Sequence, residues 1–368
     1  MTQNGQKLQE IPELTEVERE HARALLRQLW RRGTEFLGVP YAILGGAMSW
    51  LSERHLVSAI SNAGGFGVIA CGAMEPHALA QEIAATRLLT YRPFGVNLIT
   101  MHPQLQDLVN VCLEAEIGHI VLAGGVPSSA VIQRIKEAGA KVIAFVPTLA
   151  LAKRLVQIGV DALVIEGSEA GGHVGAVSLT VLAQEILPFM REVPVFVAGG
   201  LVRGDALVSY LEQGASGGQF GTLFAASTES IAHENFKRAF IRASARDAEV
   251  SVQLDERFPV APVRALKNAG SRRFLTHQAE VIQRFQAEEL TRKEAQLEIE
   301  HFWAGALRRA AIEGDVENGS VMAGQSVGMV EAIQPVRHII TNLVEQAVTR
   351  LACQQRHYVA DKVFDKVT

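Results

Sequence analysis

From residue 41 onward, short apolar and β-branched runs alternate with longer amphipathic runs along the chain. This alternation is typical of βαβ units arranged around a parallel sheet. Eight runs have the length and composition of buried strands: residues 42–44, 67–70, 94–98, 119–122, 141–145, 162–166, 195–197 and 217–220. Eight such strands with helices between them predict a closed (β/α)8 TIM barrel of the α/β class.

The stretch between Pro147 and Asp161 shows how one unit of this barrel is built. Its apolar residues recur at the spacing of one helix face, and its polar residues take the other face. Gly159 then ends the predicted helix just before the next strand, because glycine tolerates the left-handed backbone of a C-terminal cap. The same role is predicted for Gly118, Gly139 and Gly214.

Helical patterns flank and interrupt the predicted barrel. Residues 1–36 are predicted to form an N-terminal helical extension on the outside of the barrel, with one side made by Leu14, Val17, His21, Leu25 and Leu29. The strand pattern stops near residue 227, and residues 229–312 are predicted to form a helical cap or substrate segment. The pattern is again helical from 323 to 352, so the predicted barrel domain comprises residues 37–228 and 313–350.

Composition and charge favour small-molecule chemistry. Of the 368 residues, 48% are hydrophobic and 20% are charged, which indicates a well-buried core. The net charge of -4 lacks the basic excess that binding to nucleic acid or an anionic membrane requires. No apolar run approaches the roughly 18 to 20 residues that cross a bilayer. The three cysteines are too scattered for a disulfide framework or a metal site, so we expect a cytoplasmic protein without a metal.

The sixth predicted strand leads into a glycine-rich loop, residues 166–175, that contains Gly171, Gly172 and His173. Catalytic groups of such barrels lie where strands end, because those loops surround one open mouth. The glycines let backbone amides approach a planar or anionic ligand. His173 is suited to act as a general base or as a positive donor to a developing anion. The alternative is a histidine that only satisfies loop backbone groups, and the position at a strand end favours catalysis.

The loops after the seventh and eighth strands have the composition of phosphate-binding turns. Gly199 and Gly200 follow the seventh strand, and Gln219, Gly221 and Thr222 lie at the end of the eighth. Barrel enzymes often bind phosphate with these two loops, where unpaired amides converge on the anion. Tight turns without a ligand are the alternative, and the pairing of the two loops favours phosphate.

Three other strand ends carry candidate site residues. Gly46, Ala47 and Met48 follow the first strand, and Asn97 lies at the end of the third. The carboxamide of Asn97 offers a donor and an acceptor to a ligand, although it could also stabilise a turn, and Met48 could belong to the core. Glu166 ends the sixth strand and keeps open a sugar-phosphate isomerase or lyase, which needs a Lys or Glu at such a position.

Six motifs in this order resemble the nitronate monooxygenase family, formerly called 2-nitropropane dioxygenases, which includes the type II enoyl-acyl-carrier-protein reductases. They are GAMSW at 46–50, SNAGGFG at 61–67, PFGVN at 93–97, EGSEAGGHVG at 166–175, AGG at 198–200 and GT at 221–222. The resemblance extends from about residue 41 to residue 330. It implies non-covalent FMN, with the phosphate near Gly199, Gly200, Gly221 and Thr222, and it implies that His173 is the catalytic histidine.

The resemblance also implies which other residues contact the cofactor. Ring contacts are expected from Met48, Asn97 and the backbone around Glu166. The full predicted cofactor-binding set is Gly46, Ala47, Met48, Asn97, Glu166, Gly171, Gly172, Gly199, Gly200, Gln219, Gly221, Thr222, Met322, Gly324 and Gln325.

Two activities follow from the resemblance. In the first, the protein oxidises alkyl nitronates with molecular oxygen. In the second, NADH or NADPH supplies electrons through FMN to an enoyl thioester, an acyl carrier protein is a partner, and segments 263–268 and 319–325 resemble those of the reductases. Gly45 stands where relatives usually carry Gln, which bears against a firm choice. A homodimer is a further expectation, and a non-catalytic flavin-binding protein is the alternative of another class.

Overall fold

The computed structural model describes residues 14–72, 74–255 and 262–364. Its strands are, in chain order, β1 (Ile43–Gly45), β2 (Gly67–Ala70), β3 (Phe94–Ile99), β4 (His119–Ala123), β5 (Lys141–Phe145), β6 (Ala162–Glu166), β7 (Gly172–His173), β8 (Val195–Ala198), β9 (Gly217–Phe220), β10 (Ala248–Val250) and β11 (Val263–Leu266). Eight of them form one parallel sheet in the order β1-β9-β8-β6-β5-β4-β3-β2. A parallel bridge between Leu44 and Phe66 joins β1 to β2. The predicted TIM barrel is therefore confirmed.

The helices surround this barrel and extend beyond it. They are α1 (Glu16–Leu29), α2 (Arg31–Leu37), α3 (Arg54–Asn62), α4 (Pro76–Leu89), α5 (Leu105–Glu114), α6 (Ser129–Glu137), α7 (Leu149–Gln157), α8 (Leu179–Ile186), α9 (Gly204–Glu212), α10 (Thr222–Ala225), α11 (Glu234–Arg242), α12 (Ala269–Gln286), α13 (Arg292–Ala311) and α14 (Val336–Phe364). Short 3-10 turns occupy Leu187–Phe189, Ala245–Asp247 and Gln325–Met329.

The barrel strands are buried on both faces, which explains their nearly continuous apolar sequences. Ile120, Val142 and Leu163 are each fully buried in the main core cluster. On the outside, α14 lies directly on α9, since a Cβ at Gly204 would be only 1.7 Å from the backbone oxygen of Leu343. The long C-terminal helix thereby covers the barrel beside β9.

Three of the four predicted glycine stops have the left-handed backbone of a helix cap. Gly139, Gly159 and Gly214 have φ values of +83°, +105° and +108°. The prediction for Gly118 is wrong, because α5 ends at Glu114 and Glu116 takes the positive φ instead, at +51°. The chain therefore reverses two residues earlier than the glycine pattern suggested.

The face with which helix α1 packs coincides in part with the predicted one: Leu14, just before the helix, is buried, and Leu25 and Leu29 pack against the core. Its buried residues are Ala22 and Leu26, whereas Val17 is 65% exposed. Arg19 and Arg23 of α1 both pair with Glu345 on α14, at 3.2 and 3.5 Å. Apolar burial and ion pairs thus both join α1 to the rest of the molecule.

The segment after residue 228 is not purely helical as predicted. Strands β10 and β11 form an antiparallel sheet with β7, in the order β10-β11-β7. These strands have three, four and two residues, which is too short for an alternating pattern to be recognised. The predicted helix over 323–352 begins only at Val336, after Pro335. The proposed domain boundaries remain predictions.

Candidate active site

The loops after β1 and β9 meet at the C-terminal ends of the strands, here called the barrel mouth. The backbone N–H of Gly46 donates to the carbonyl of Phe220 at 2.8 Å. Ser52 holds the β1 loop in place, because its hydroxyl accepts from the N–H of Met48 at 2.9 Å and donates to the carbonyl of Gly46 at 2.8 Å. A Cβ at Gly221 would lie 3.7 Å from the sulfur of Met48. These candidate residues form one continuous wall.

The loops after β6 and β8 pack on each other through glycine. Gly199 and Gly200 have φ values of +92° and +71°, and a Cβ at Gly199 would lie 2.8 Å from the carbonyl oxygen of Gly167. Within residues 14–72, 74–255 and 262–364, the backbone N–H groups of Gly200 and Gly221 donate to no protein acceptor. Two strand ends thus offer amide donors where phosphate is expected.

The segment around Gly324 closes this wall from a distant part of the chain. The N–H of Gln325 donates to the carbonyl of Glu169 at 2.9 Å, and the N–H of Gly324 donates to the hydroxyl of Thr222 at 3.2 Å. Gly171 lies so close that a Cβ there would be 2.5 Å from the carbonyl carbon of Ala323. Met322 is next to Gly172, since a Cβ at that glycine would lie 3.6 Å from the Met322 sulfur.

His173 lies on β7, directly opposite Val263 on β11. Its side chain is exposed, and the loop on which it lies is anchored at both ends. At the start of that loop the carboxylate of Glu169 accepts from the N–H of Leu179, the first residue of α8, at 3.0 Å. At its end the N–H of Val174 donates to the carbonyl of Pro262 at 3.0 Å. The imidazole is therefore carried by a two-residue strand rather than by an unsupported loop.

Glu166 ends β6 and is the second titratable group of the site. Burial raises the pKa of Glu166 to about 7, and Coulombic attraction to His173 partly opposes this rise. The charge on either of these two side chains therefore affects the other. A carboxyl group with such a pKa exchanges protons near neutral pH, which suits proton transfer.

Asn97 is separated from the other candidates. It is buried on β3, and its side-chain amide donates to the carbonyl of Val121 over a long 3.4 Å. In the described ranges no hydrogen bond joins it to the walls formed by the other loops. The structure thus brings fourteen of the fifteen predicted cofactor-binding residues into the β1, β6, β8 and β9 loops and the Gly324 segment, and Asn97 stands across the mouth.

Two residues near the site were not among the predicted site residues, although both lie in segments that resemble the family. Arg264 on β11 is buried, and its guanidinium donates to carbonyls of the His173 loop and β10. Trp50 has a left-handed backbone, with φ of +68°, and its indole N–H donates to the carbonyl of Ala304 on α13 at 3.3 Å. A charged residue inside the apolar run Val263–Leu266 is unusual, and this could have indicated a role for Arg264. Nothing in the sequence around Trp50 indicates its partner.

His119 is at the opposite end of the barrel, where the sequence predicts a structural role. It begins β4, and its ring nitrogen is 2.8 Å from the carbonyl oxygen of Phe36. Burial lowers the pKa of His119 to about 4, so the ring is neutral at physiological pH. The part of the chain that is described contains no group of three His, Cys, Asp or Glu residues arranged to hold a metal ion.

A sequence model of the nitronate monooxygenase family matches residues 31–346. The chain belongs to the nitronate monooxygenase family. It is accordingly a flavin-dependent oxidoreductase, and the resemblance of its motifs to that family is confirmed. None of the described helices of this family member is both long and apolar enough to cross a membrane.

Relatives of this family member differ in the substrates that their names give. The chain is 35% identical to FabK from Thermotoga maritima, with a TM-score of 0.78, over 89% of this chain and 98% of that structure. It is 28% identical to a 5-hydroxy-7a-methyl-1-oxo-octahydro-1H-indene-4-carboxyl-CoA dehydrogenase from Mycobacterium tuberculosis, over 86% of this chain and 96% of the relative. It is 27% identical to a probable nitronate monooxygenase from Staphylococcus saprophyticus, over 87% and 98% of the two chains.

Proposed function

We propose that this protein is an FMN-dependent oxidoreductase that oxidises alkyl nitronates with molecular oxygen. The observation that carries the proposal is the position of His173, exposed on β7 beside two glycine-rich strand ends. There the N–H groups of Gly200 and Gly221 have no protein acceptor among the described residues. Membership of the nitronate monooxygenase family supports the same reaction.

The residues at the barrel mouth fit FMN. The N–H groups of Gly200 and Gly221 would donate to its phosphate, and the hydroxyl of Thr222 lies beside them, held by the N–H of Gly324. The absence of Cβ atoms at Gly199 and Gly200 lets the β6 loop pack against this turn, since added Cβ atoms would lie 2.8 Å from the Gly167 oxygen and 3.0 Å from the Cβ of Glu169. Met48, Gly172 and Met322 would border the ring system, and Asn97 would reach it from the other side. FMN, when bound, accepts electrons from the substrate and passes them to oxygen.

His173 and Glu166 would handle charge and protons around the substrate. A nitronate is a planar anion, and a protonated imidazole at position 173 would donate to one of its oxygens and keep it in place. Glu166, with its pKa near neutrality, would take or return a proton close by.

A second candidate is the reduction of an enoyl thioester at the expense of NADH or NADPH. It is favoured by the 35% identity with FabK and by the CoA thioester in the name of the mycobacterial relative. His173 would then stabilise the enolate that develops at the thioester oxygen. Acyl carrier protein would be a partner in this reaction, and both candidates suit a cytoplasmic enzyme.

Anaerobic stopped-flow spectroscopy of the purified flavoprotein distinguishes the two. The oxidised protein is mixed separately with propyl-2-nitronate, NADH and NADPH, and the reduced protein is mixed with crotonyl-CoA. Rapid bleaching by nitronate supports the first candidate. Bleaching by a pyridine nucleotide, followed by reoxidation with crotonyl-CoA, supports the second and contradicts the first.

The variant His173→Gln tests the assigned role of the imidazole in the same assay. We expect its FMN content to equal that of the wild type and its rate of flavin reduction to fall by roughly 10²- to 10⁴-fold. His338→Ala, an exposed histidine on α14, is the control. A protein that contains no flavin and cannot be reconstituted with FMN would rule out both candidates.

A further inference from the structure

Arg264 is a buried cation that lies behind the loop carrying His173. Its side chain is on β11, and the residue is only 7% exposed. The Nε and Nη2 atoms both donate to the carbonyl of Ser168, at 3.2 and 2.8 Å, and Nη1 donates to the carbonyl of Ala248 at 2.6 Å. One guanidinium thus bridges the start of the His173 loop and strand β10.

The backbone of the same residue holds the other end of the loop. Arg264 pairs with Gly172 in the antiparallel register of β11 and β7, and its neighbour Val263 pairs with His173. The side chain therefore fixes residue 168 while the backbone fixes residues 172 and 173. Arg264 thus holds both ends of the segment that orients the imidazole.

Among the described residues, no carboxylate is in contact with the charge of Arg264. No ion pair within 4 Å involves Arg264 in the described residues, and Glu169, which attracts it electrostatically, is bound to the N–H of Leu179. Burial lowers the pKa of Arg264, as expected for a cation removed from water. An apolar side chain would fill this place without that desolvation cost, so the guanidinium needs a reason beyond packing.

We infer that Arg264 is a positioning residue for His173, which locks the Ser168 carbonyl and strand β7 so that the imidazole keeps one orientation toward the substrate. This inference rests on the proposed catalytic function of His173. The planar fork of arginine suits the role, because two of its N–H groups reach one carbonyl while a third reaches the neighbouring strand. A small displacement of a catalytic group lowers the rate strongly even when binding is unchanged.

The test uses the flavoprotein with Arg264→Lys, Arg264→Gln and Arg264→Met, and Lys267→Gln as the matched control. Lys267 is three residues further along the chain, where it pairs with Glu249 at the surface. Two quantities are measured: hydrogen exchange of the amides of residues 169–174, and the limiting rate and apparent Kd of flavin reduction by whichever donor reduces the wild type.

We expect Arg264→Met to speed exchange in this segment at least about tenfold and to lower the limiting rate about 10- to 100-fold. The apparent Kd should rise by no more than about threefold, because the imidazole would provide only one of the contacts that hold the substrate. Arg264→Lys should recover part of both effects, and Lys267→Gln should match the wild type. In the His173→Gln background, Arg264→Met should lower the rate no further, because the arginine acts through the histidine.

A wild-type limiting rate and wild-type exchange in Arg264→Met would overturn the inference, as would additive rate losses in the double variant. If Arg264→Met does not fold, Arg264→Lys and Arg264→Gln are compared with the wild type instead. Exchange and limiting rates that are equal in all three proteins would contradict the inference. If no donor reduces the wild-type flavin, the proposed function fails, and the exchange measurement alone decides whether Arg264 orders the loop.

Discussion

At the end of β8, Gly199 and Gly200 have backbone conformations that other residue types rarely adopt. Their positive φ angles turn the chain at the end of β8, and the missing Cβ atoms let the β6 loop approach. The shape of this turn therefore depends on two glycines, and a substitution of one of them tests its predicted role in binding phosphate.

Gly199→Ala should weaken FMN binding at least about tenfold and destabilise the protein. A left-handed alanine costs roughly 1 to 2 kcal/mol, and its Cβ would meet the Gly167 carbonyl at 2.8 Å. Gly175→Ala is the control in a neighbouring loop, because a Cβ there meets nothing within 4 Å. Flavin fluorescence titration of the flavin-free protein gives the affinity, and an unchanged Kd for Gly199→Ala would remove this loop from the phosphate site.

Glu166 makes the stability of the flavin-free protein depend on pH. Its folded pKa of about 7 lies above its ordinary value of 4.5, so the unfolded chain releases this proton first and stability falls as pH rises from 4.5 to 7. Above pH 7 the loss of folding free energy caused by the buried, ionised Glu166 is constant, at about 3 kcal/mol for a pKa shift of this size.

Glu166→Gln should therefore raise Tm at pH 8 and leave it nearly unchanged at pH 4.5. Calorimetry of the flavin-free protein across this range measures the difference. Glu212→Gln provides the control, because Glu212 is an exposed residue on α9 and its removal eliminates no buried carboxyl group. A Tm gain that is the same at both pH values would contradict the raised pKa.

Helices α12 and α13 pack against each other through an aromatic cluster. The rings of Phe274 and Trp303 lie 4.2 Å apart between centroids. Trp303 is 3% exposed, yet within the described chain its indole N–H has no hydrogen-bond acceptor. This donor is buried without compensation, which costs about 1 to 3 kcal/mol.

Trp303→Phe should accordingly change the free energy of unfolding by less than about 1 kcal/mol, because removal of the unpaired donor offsets the loss of ring volume. Trp303→Ala should cost about 3 to 5 kcal/mol, since it leaves a cavity between the two helices. Urea denaturation of both variants measures the values. Equal losses in the two variants would show that the indole N–H has a partner.

The N-terminal helix α1 contributes to the stability of the whole molecule. Leu26 of α1 is 2% exposed in the same core cluster as the barrel strands, and ion pairs connect α1 to α14. This helix lies outside the barrel and contributes no candidate site residue. We therefore assign it a structural role.

Leu26→Ala should lower the free energy of unfolding by about 2 to 5 kcal/mol without changing the affinity for FMN. Val17→Ala on the same helix is the matched control, because Val17 is 65% exposed. Denaturant unfolding and flavin titration provide the two measurements. A large loss of FMN affinity in Leu26→Ala would show that α1 influences the barrel mouth.

The sequence by itself determined the barrel, the order of its strands along the chain and the loops that surround His173. These features follow from local patterns: most barrel strands are apolar runs, and a glycine with a left-handed backbone follows helices α2, α6, α7 and α9. The loops then lie at the same end of the barrel because parallel strands all point in one direction. Four of the six family motifs lie in these same loops, so the candidate site was also readable from the sequence.

Only the tertiary structure decided which distant segments support that site. The β7-β10-β11 sheet joins residues about 90 positions apart, and strands of two to four residues carry no periodicity by which pairing could be recognised. The contact of Trp50 with α13 and the bridge from Arg264 to Ser168 depend equally on long-range packing. The pKa of Glu166 likewise arises from burial, which a sequence position at a strand end does not specify.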